Sequence, residues 1–461
     1  MLCVTAGCQP GDIPAEPNLL AYSDEAITFE YPDWTESTPD DKAVFLFSSN
    51  GEDVFFASRY PVSSALLKQE LEKNLDAKSE GEYLYYKFDT GEKKLDAVSR
   101  ILYSNYHSYL LTYAGDTDTG KSLLASAQVK KRSLTLKEGV GIMPIPANDD
   151  SSLIPQACRL SRELGADIIS WYFFWGGLED DWTVADCVME CLSLEGKSAA
   201  VMNIIHTNVL GAYPPEFKHF KDPGFREAFA EFSVEFVLRY KPEYYFIGGE
   251  VDIYLNSHRD EIPSFKEVYE YAYSEIKKAS PETKVGSVFA YHYARDYDAL
   301  DIIQTLSEEC DIVGYTCHPH EENFSYKNLS RGLQYLKEIK DVVPDKPYCI
   351  IETCWSSSSL LDSSEDLQAE FVHDFFDYVE TGGAEFVIWF SLHNQHDCTQ
   401  AAQTHLEPVP ELQIDEAYVR AFEEFMCSPG LLYSDGTPKK ALEVWKQCIS
   451  NSSVDNSGDN N

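Results

Sequence analysis

Two stretches decide how this chain is read: Tyr244-Tyr245-Phe246-Ile247-Gly248-Gly249-Glu250-Val251-Asp252 and Tyr348-Cys349-Ile350-Ile351-Glu352-Thr353-Cys354-Trp355. Each is a short apolar run that ends on a glutamate. Bounded runs of this length, rich in β-branched and aromatic residues, suit buried strands of a parallel sheet. A carboxylate at the last position of such a strand adds little to packing. In a (β/α)8 barrel that end is the face on which active sites lie.

Outward from these runs the pattern alternates strand and helix from Lys137 onward. Strands are predicted at Gly139 to Pro144, Ala166 to Trp175, Ala199 to His206, up to Glu250, Val285 to Tyr293, Asp311 to Cys317, up to Glu352, and Glu385 to Phe390. Helices are predicted between them. One carries Phe225, Phe229, Phe232 and Phe236 at the spacing of a helix packed on a sheet. Tyr418 to Met426 and Lys440 to Cys448 close the ring. Eight units over about 310 residues fit one barrel with insertions. The expected fold is therefore α/β, a (β/α)8 TIM barrel over residues 136–449, preceded by a small α+β domain at 23–135.

In the small domain, strands are expected at Ile27 to Pro32, Val44 to Phe47, Val54 to Ala57, Tyr83 to Phe88 and Ala97 to Tyr113. Helices are expected at Ser64 to Asn74 and Gly120 to Gln128. The order, with Tyr31-Pro32-Asp33-Trp34 at the front and Tyr109-Leu110-Leu111-Thr112-Tyr113 near the end, resembles PsbP-like domains of exported proteins. No catalytic constellation is visible in it, so a binding or spacing module is expected. Residues 1–22 read as a signal remnant and tether. Thr5-Ala6-Gly7-Cys8 resembles the end of a lipoprotein signal peptide, although Thr5 stands where Leu is usual and no basic and apolar regions come first. This implies a lipid anchor on Cys8 and an extracytoplasmic, cell-surface or secreted protein. The polar tail at 450–461 is expected to be disordered.

The formal net charge is −40, a field that repels nucleic acid and anionic membrane surfaces. No apolar run approaches the ~20 residues that span a bilayer. Twelve cysteines include no paired CxxC, which argues against a zinc ribbon. Cys187 and Cys191, at i,i+4, read as a core pair on one helix face. No cofactor is called for.

Retaining hydrolysis of a glycosidic bond needs a protonated acid at the leaving oxygen and an ionised nucleophile ~5 Å away. Glu250 and Glu352 are 102 positions apart (352 − 250), three strand–helix units, and occupy the fourth and seventh strand ends. Ile247-Gly248-Gly249-Glu250-Val251-Asp252 is similar to the strand-four Gly-Asn-Glu-Val motif of the clan A glycoside hydrolases. Ile350-Ile351-Glu352-Thr353-Cys354-Trp355 resembles that clan's strand-seven Glu-Thr-Gly-Trp. Val387-Ile388-Trp389-Phe390 is similar to its strand-eight segment, and Gly430-Leu431-Leu432 with Asp435 to Ala441 to its ending. The resemblance spans about residues 138 to 447. It implies that Glu250 is the general acid/base, Glu352 the nucleophile, and Trp389 the floor of a sugar subsite.

Two positions depart from the clan. Gly249 replaces an Asn whose amide would bond the sugar 2-hydroxyl, and Cys354 replaces a Gly. Either another donor takes the place of the missing amide, or catalysis is weak or lost. Further substrate contacts are expected from Trp171, Trp175, His206, Asn208, Tyr291, Tyr293, Tyr315, His318, Trp355 and His393, a polar and aromatic set suited to carbohydrate. Two other functions stay open: a carbohydrate-binding barrel without turnover, and a metal-dependent hydrolase using His318, His320, His393 and His396.

Overall fold

The computed structural model describes residues 19–455, apart from 24–25, 33–34, 38–42, 50–52, 90–92, 131, 133, 179–180, 322–323, 327–328 and 400–415. Of the expected signal remnant and tether at 1–22, residues 1–18 lie outside the described residues, as does the end of the tail, 456–461. Residues 19–22 are not linker but part of strand Leu19–Ser23, which pairs antiparallel with Ile27–Pro32. The chain divides into two compact units, Met1–Arg132 and Ser133–Asn461.

Unit one holds an antiparallel sheet in which Asp53–Tyr60 pairs with His107–Ala114, which pairs in turn with Lys94–Ser104. The run expected as one strand over Ala97 to Tyr113 is a hairpin. Asn105 and Tyr106, at φ 48° and 59°, make its two-residue turn. Helix Thr117–Ala125 begins on Asp116, whose carboxylate accepts from the Asp118 and Thr119 amides. It lies close to the sheet at Gly120, where an added Cβ would come within 2.6 Å of Val98. Leu123, Leu124, Val98, Leu111, Phe55 and Phe29 form the core beneath it. Three hydroxyls, of Tyr86, Ser99 and Thr112, satisfy one another inside the sheet.

Unit two is a parallel barrel. Its strands are β1 (Lys137–Ile142), β2 (Ala166–Phe173), β3 (Lys197–His206), β4 (Tyr244–Gly249), β5 in two pieces (Lys284–Gly286 and Val288–Ala290), β6 (Val313–Cys317), β7 (Tyr348–Thr353) and β8 (Val387–Trp389). Each pairs with the next, and β8 pairs back onto β1 through Val140↔Val387 and Gly141↔Ile388. The first piece of β5 pairs with β4 and the second with β6. Ser287 lies between the pieces, its hydroxyl donating to the Ile247 carbonyl while its own carbonyl accepts from Gly314 N–H. The ring therefore closes around a kink at one serine.

Helices flank the strands as the periodicity requires. Phe225–Tyr240 presents Phe225, Phe229, Phe232 and Phe236, all buried. Phe225, Phe229 and Phe232 pack on Trp175 with ring centroids 5.4–5.6 Å apart. Each large aromatic buried this way stabilises by roughly 1.5–3 kcal/mol. Strand five is shorter than expected: Tyr291–Asp296 is helical, so Tyr291, His292 and Tyr293 begin a helix rather than end a strand. The last helix, Lys440–Asp455, runs through the first residues of the expected tail. Among the described residues no helix is long and apolar enough to cross a membrane.

Candidate active site

β4 is buried over all six residues, and its end is set by two left-handed positions. Gly248 has φ 80°, which glycine adopts without a steric penalty. Glu250 has φ 53° and ψ 40°, a conformation that costs a non-glycine residue of order 1 kcal/mol or more and gathers at functional sites. Helix Val251–Ser257 follows at once. The strain fixes the Glu250 side chain at the point where strand becomes helix.

Two hydroxyls hold the Glu250 carboxylate. Thr207, just past β3, donates to Oε2 at 3.0 Å, and Thr316 on β6 donates to Oε1. Thr316 is also the register partner of Glu352 on β7. One residue thus ties the strand-four carboxyl to the strand carrying the strand-seven carboxyl. Burial, and then the charge of Glu352, push the Glu250 carboxyl above the ordinary carboxylate range. The His318 charge and the two hydroxyls oppose the shift and do not cancel it.

Glu352 has His318 beside it, Nε2 to Oε2 3.4 Å, with both side chains nearly sealed at 8% and 12% exposure. On the ring's other side Nδ1 meets Cys354 Sγ at 3.5 Å, and Sγ meets the Tyr326 hydroxyl at 3.8 Å. Burial alone would lower the His318 pKa; the Cys354 sulfur and the Glu352 carboxylate outweigh it and raise it. Tyr172 on β2 completes the group. Its pKa is raised well above the phenol's usual value, first by burial and then by the charges of Glu352 and Glu250. His292 and His320 are pushed the other way, mainly by burial, and are neutral at physiological pH.

Of the residues singled out from sequence, the structure gathers Glu250, Glu352, His318 and His206 at one end of the barrel. His206 packs on Tyr172, centroids 5.7 Å apart. Asn208 lies one residue beyond Thr207, and Trp171 is half-buried next to Tyr172.

The expected tryptophan contacts need correction. Trp389 is fully buried, packed on Phe371, Phe375 and Trp445 of the helix layer, with its indole N–H donated to the Pro429 carbonyl. The residue after it, Phe390, takes the inner position, 6.1 Å from the His318 ring. Trp355 is likewise sealed, against Phe371 and Tyr326, and Trp175 sits in the phenylalanine cluster.

Tyr315 packs against Tyr291 and Tyr348, and the Tyr291 hydroxyl donates to Glu338, so both belong to the outer layer. The Tyr293 hydroxyl accepts from Asn256 and its ring stacks on Tyr297. His393 is spent on the Ile145 carbonyl at 2.7 Å. The physical reason is common to the strand residues: neighbours on a strand face opposite sides, so a strand end cannot present both to the mouth.

Sequence reasoning did not choose Thr207, Thr316 or Phe390 as contacts, whereas Tyr172 was among the strand-end aromatics it considered for the pocket. Strict alternation from Glu352 and its partner strands could have found Thr316 and Phe390. Among the described residues no three of His, Cys, Asp and Glu are arranged to hold a metal ion.

No family profile matches this chain, and no curated protein matches it in sequence. Solved structures with a similar fold include the exo-β-1,4-mannosidase Op5Man5 from Opitutaceae bacterium strain TAV5, with TM-score 0.49 and 14% identity over 71% of this chain and 63% of that one. A GH5_18 protein from Streptomyces cattleya, in complex with Manb1-4GlcNAc, aligns with TM-score 0.48 and 14% identity over 68% of this chain and 81% of that one. A family 39 glycoside hydrolase from the gut symbiont Bacteroides cellulosilyticus WH2 aligns with TM-score 0.44 and 16% identity over 81% of this chain and 78% of that one.

Proposed function

We propose that the barrel is a retaining glycoside hydrolase acting on an oligo- or polysaccharide by double displacement. The observation that carries this reading is the link Glu250–Thr316–Glu352 at one barrel end, with the Glu250 carboxyl pushed up by burial and by the charge of Glu352. A raised carboxyl is the form that can protonate a leaving oxygen at neutral pH. Glu352, with His318 and Tyr172 beside it, attacks the anomeric carbon as the glycosidic bond breaks. A glycosyl ester forms, and the aglycone departs with the Glu250 proton. Glu250 then takes a proton from water, which attacks the ester, releases the sugar with its configuration retained and frees Glu352.

The test is a panel of 2-deoxy-2-fluoroglycosyl fluorides followed by peptide mapping. A covalent sugar on Glu352 is expected. A product of inverted configuration, or a label on another residue, sinks the mechanism. One observation favours a second function, a sugar-binding barrel with little turnover: position 249 is Gly, so the usual amide beside the acid/base is missing. Sugar binding with no release from either the wild type or Glu352→Gln would establish it instead.

The same proposal places the protein outside the cytoplasm, held to a membrane by a lipid on Cys8. Thr5-Ala6-Gly7-Cys8 supports this. So does the Cys398–Cys427 disulfide, a bond that persists in oxidising compartments. Labelling with a radioactive fatty acid that survives Cys8→Ala would refute the anchor. Unit one, by its PsbP-like order of elements, serves as a binding or spacing module.

A further inference from the structure

We infer that Asn203 supplies the amide that position 249 lacks, and that it is the group in this site that reads the sugar hydroxyl next to the anomeric carbon. The inference rests on the hydrolase reading above. A Cβ built on Gly249 would lie 2.7 Å from Asn203 Oδ1, so the Asn203 side chain fills the space that a residue-249 side chain would take. The same point is 3.2 Å from Tyr172 Cε1 and 3.4 Å from His206 Nδ1, which puts it among the residues around the two carboxyls.

Asn203 is fully buried on β3, and neither its Oδ1 nor its Nδ2 has a hydrogen-bond partner. Burying an amide with nothing to bond is costly, and a buried polar group that stays unpaired calls for a function. An amide carries both a donor and an acceptor, which matches the two ways a sugar hydroxyl can bond. Tyr172, which the Cβ point at Gly249 nearly touches, feels the charges of both Glu352 and Glu250, so an amide filling that point lies beside the sugar that the acid/base serves. Gly249 and Asn203 are then two halves of one exchange: the glycine makes room for an asparagine arriving from the neighbouring strand.

The test compares wild type, Asn203→Ala, Gly249→Asn and the double variant on an aryl glycoside and its 2-deoxy counterpart. Asn203→Ala should lower kcat/KM on the hydroxylated substrate about 100-fold, the scale of a bond that strengthens in the transition state. On the 2-deoxy substrate the loss should stay within about fivefold. Gly249→Asn alone should be crowded and impaired. Adding it to Asn203→Ala should restore at least about a tenfold preference for the hydroxylated substrate.

A merely structural Asn203 would lose equally on both substrates, and the double variant would not recover; either result overturns the inference. Asn203→Leu gives a readout free of turnover: Tm should rise, because an unpaired buried amide is removed, and a fall in Tm counts against the proposal. If the wild type cleaves no glycoside, the hydrolase reading fails and ligand-observed NMR decides this one. A preference for a monosaccharide over its 2-deoxy form that Asn203→Ala abolishes supports it. A wild type without that preference overturns it.

Discussion

Trp389 and Phe390 are chain neighbours at the end of β8 and belong to different chemistry. Trp389 is locked among Phe371, Phe375 and Trp445, while Phe390 meets the His318 ring that stands beside Glu352. The same split recurs on β6, where Tyr315 packs on Tyr291 and its neighbour Thr316 bonds Glu250. One side of these strands is an aromatic shell that meets the helices. The other is a small polar mouth whose groups are paired with one another or, like Asn203, with nothing. Substitutions in the shell should therefore be felt as stability and those in the mouth as rate.

The largest effect that would break this division is at Glu352. Glu352→Gln keeps the shape and removes the proposed nucleophile, and activity should fall by at least about 10⁴-fold, as for other groups that act as a unit. The melting temperature should stay close to that of the wild type. A variant that unfolds would mean that the mouth also carries the fold. Steady-state kinetics and calorimetry on one preparation read both.

In the shell, Trp389→Ala should cost about 3–5 kcal/mol of stability, the range for a sealed tryptophan that leaves a cavity. It also removes one of the two donors to the Pro429 carbonyl, leaving the Gln368 amide as the other. The folded fraction should keep its KM. Phe390→Ala should do the reverse, raising KM severalfold with a smaller change in denaturation midpoint. If Trp389→Ala changed KM while Phe390→Ala did not, the assignment of the two faces would be wrong.

The barrel itself was legible because its signals are redundant. Strand runs, the helix stripe at Phe225, Phe229, Phe232 and Phe236, and glutamates at two strand ends all repeat one message. Glu250, Glu352, His318 and His206 followed from those strand ends. The tryptophans misled because an aromatic at a strand end is equally good as shell or as subsite, and only the alternation of faces separates the two. Tyr291 and Tyr293 misled for a different reason: strand five turns into a helix at Tyr291, where the apolar run continues without a break. Asn203 gave no sequence signal at all. Its meaning comes from the space that the missing side chain of Gly249, on another strand, leaves for it.

A smaller effect tests the electrostatics of the mouth. The Glu250 pKa is raised in the folded state, so the unfolded chain releases its proton at lower pH than the native one. Stability from this group is unaffected below the ordinary carboxylate range and declines as pH rises from there to the raised native value. Glu250→Gln removes that loss. Its Tm should exceed the wild type's by about 2–4 °C at neutral pH and match it in acid, below the ordinary carboxylate range. An equal shift at both pH values would point to packing rather than charge. In Glu352→Gln the Glu250 carboxyl should titrate lower, because the second cause of its shift is gone, and ¹³C NMR of labelled glutamate can follow it.

The smallest effect is expected outside both regions, between two barrel helices. Arg239 on Phe225–Tyr240 makes a two-pronged pair with Asp186 on Thr183–Ser193, both bonds 2.7 Å, and Asp186 also accepts from the Tyr240 hydroxyl. The guanidinium lies over the Trp182 ring as well, 5.4 Å from its centroid. On geometry alone this is a well-formed bidentate ion pair. Yet the Arg239 side chain is 42% exposed, so water screens the attraction, and a double-mutant cycle of Arg239→Gln with Asp186→Asn should give a coupling of only about 0.2–1 kcal/mol that shrinks with added salt. Activity should not change. A coupling well beyond that range would mean that stacking on Trp182 desolvates the pair, and the aromatic shell would then extend its hold to the surface charges above it.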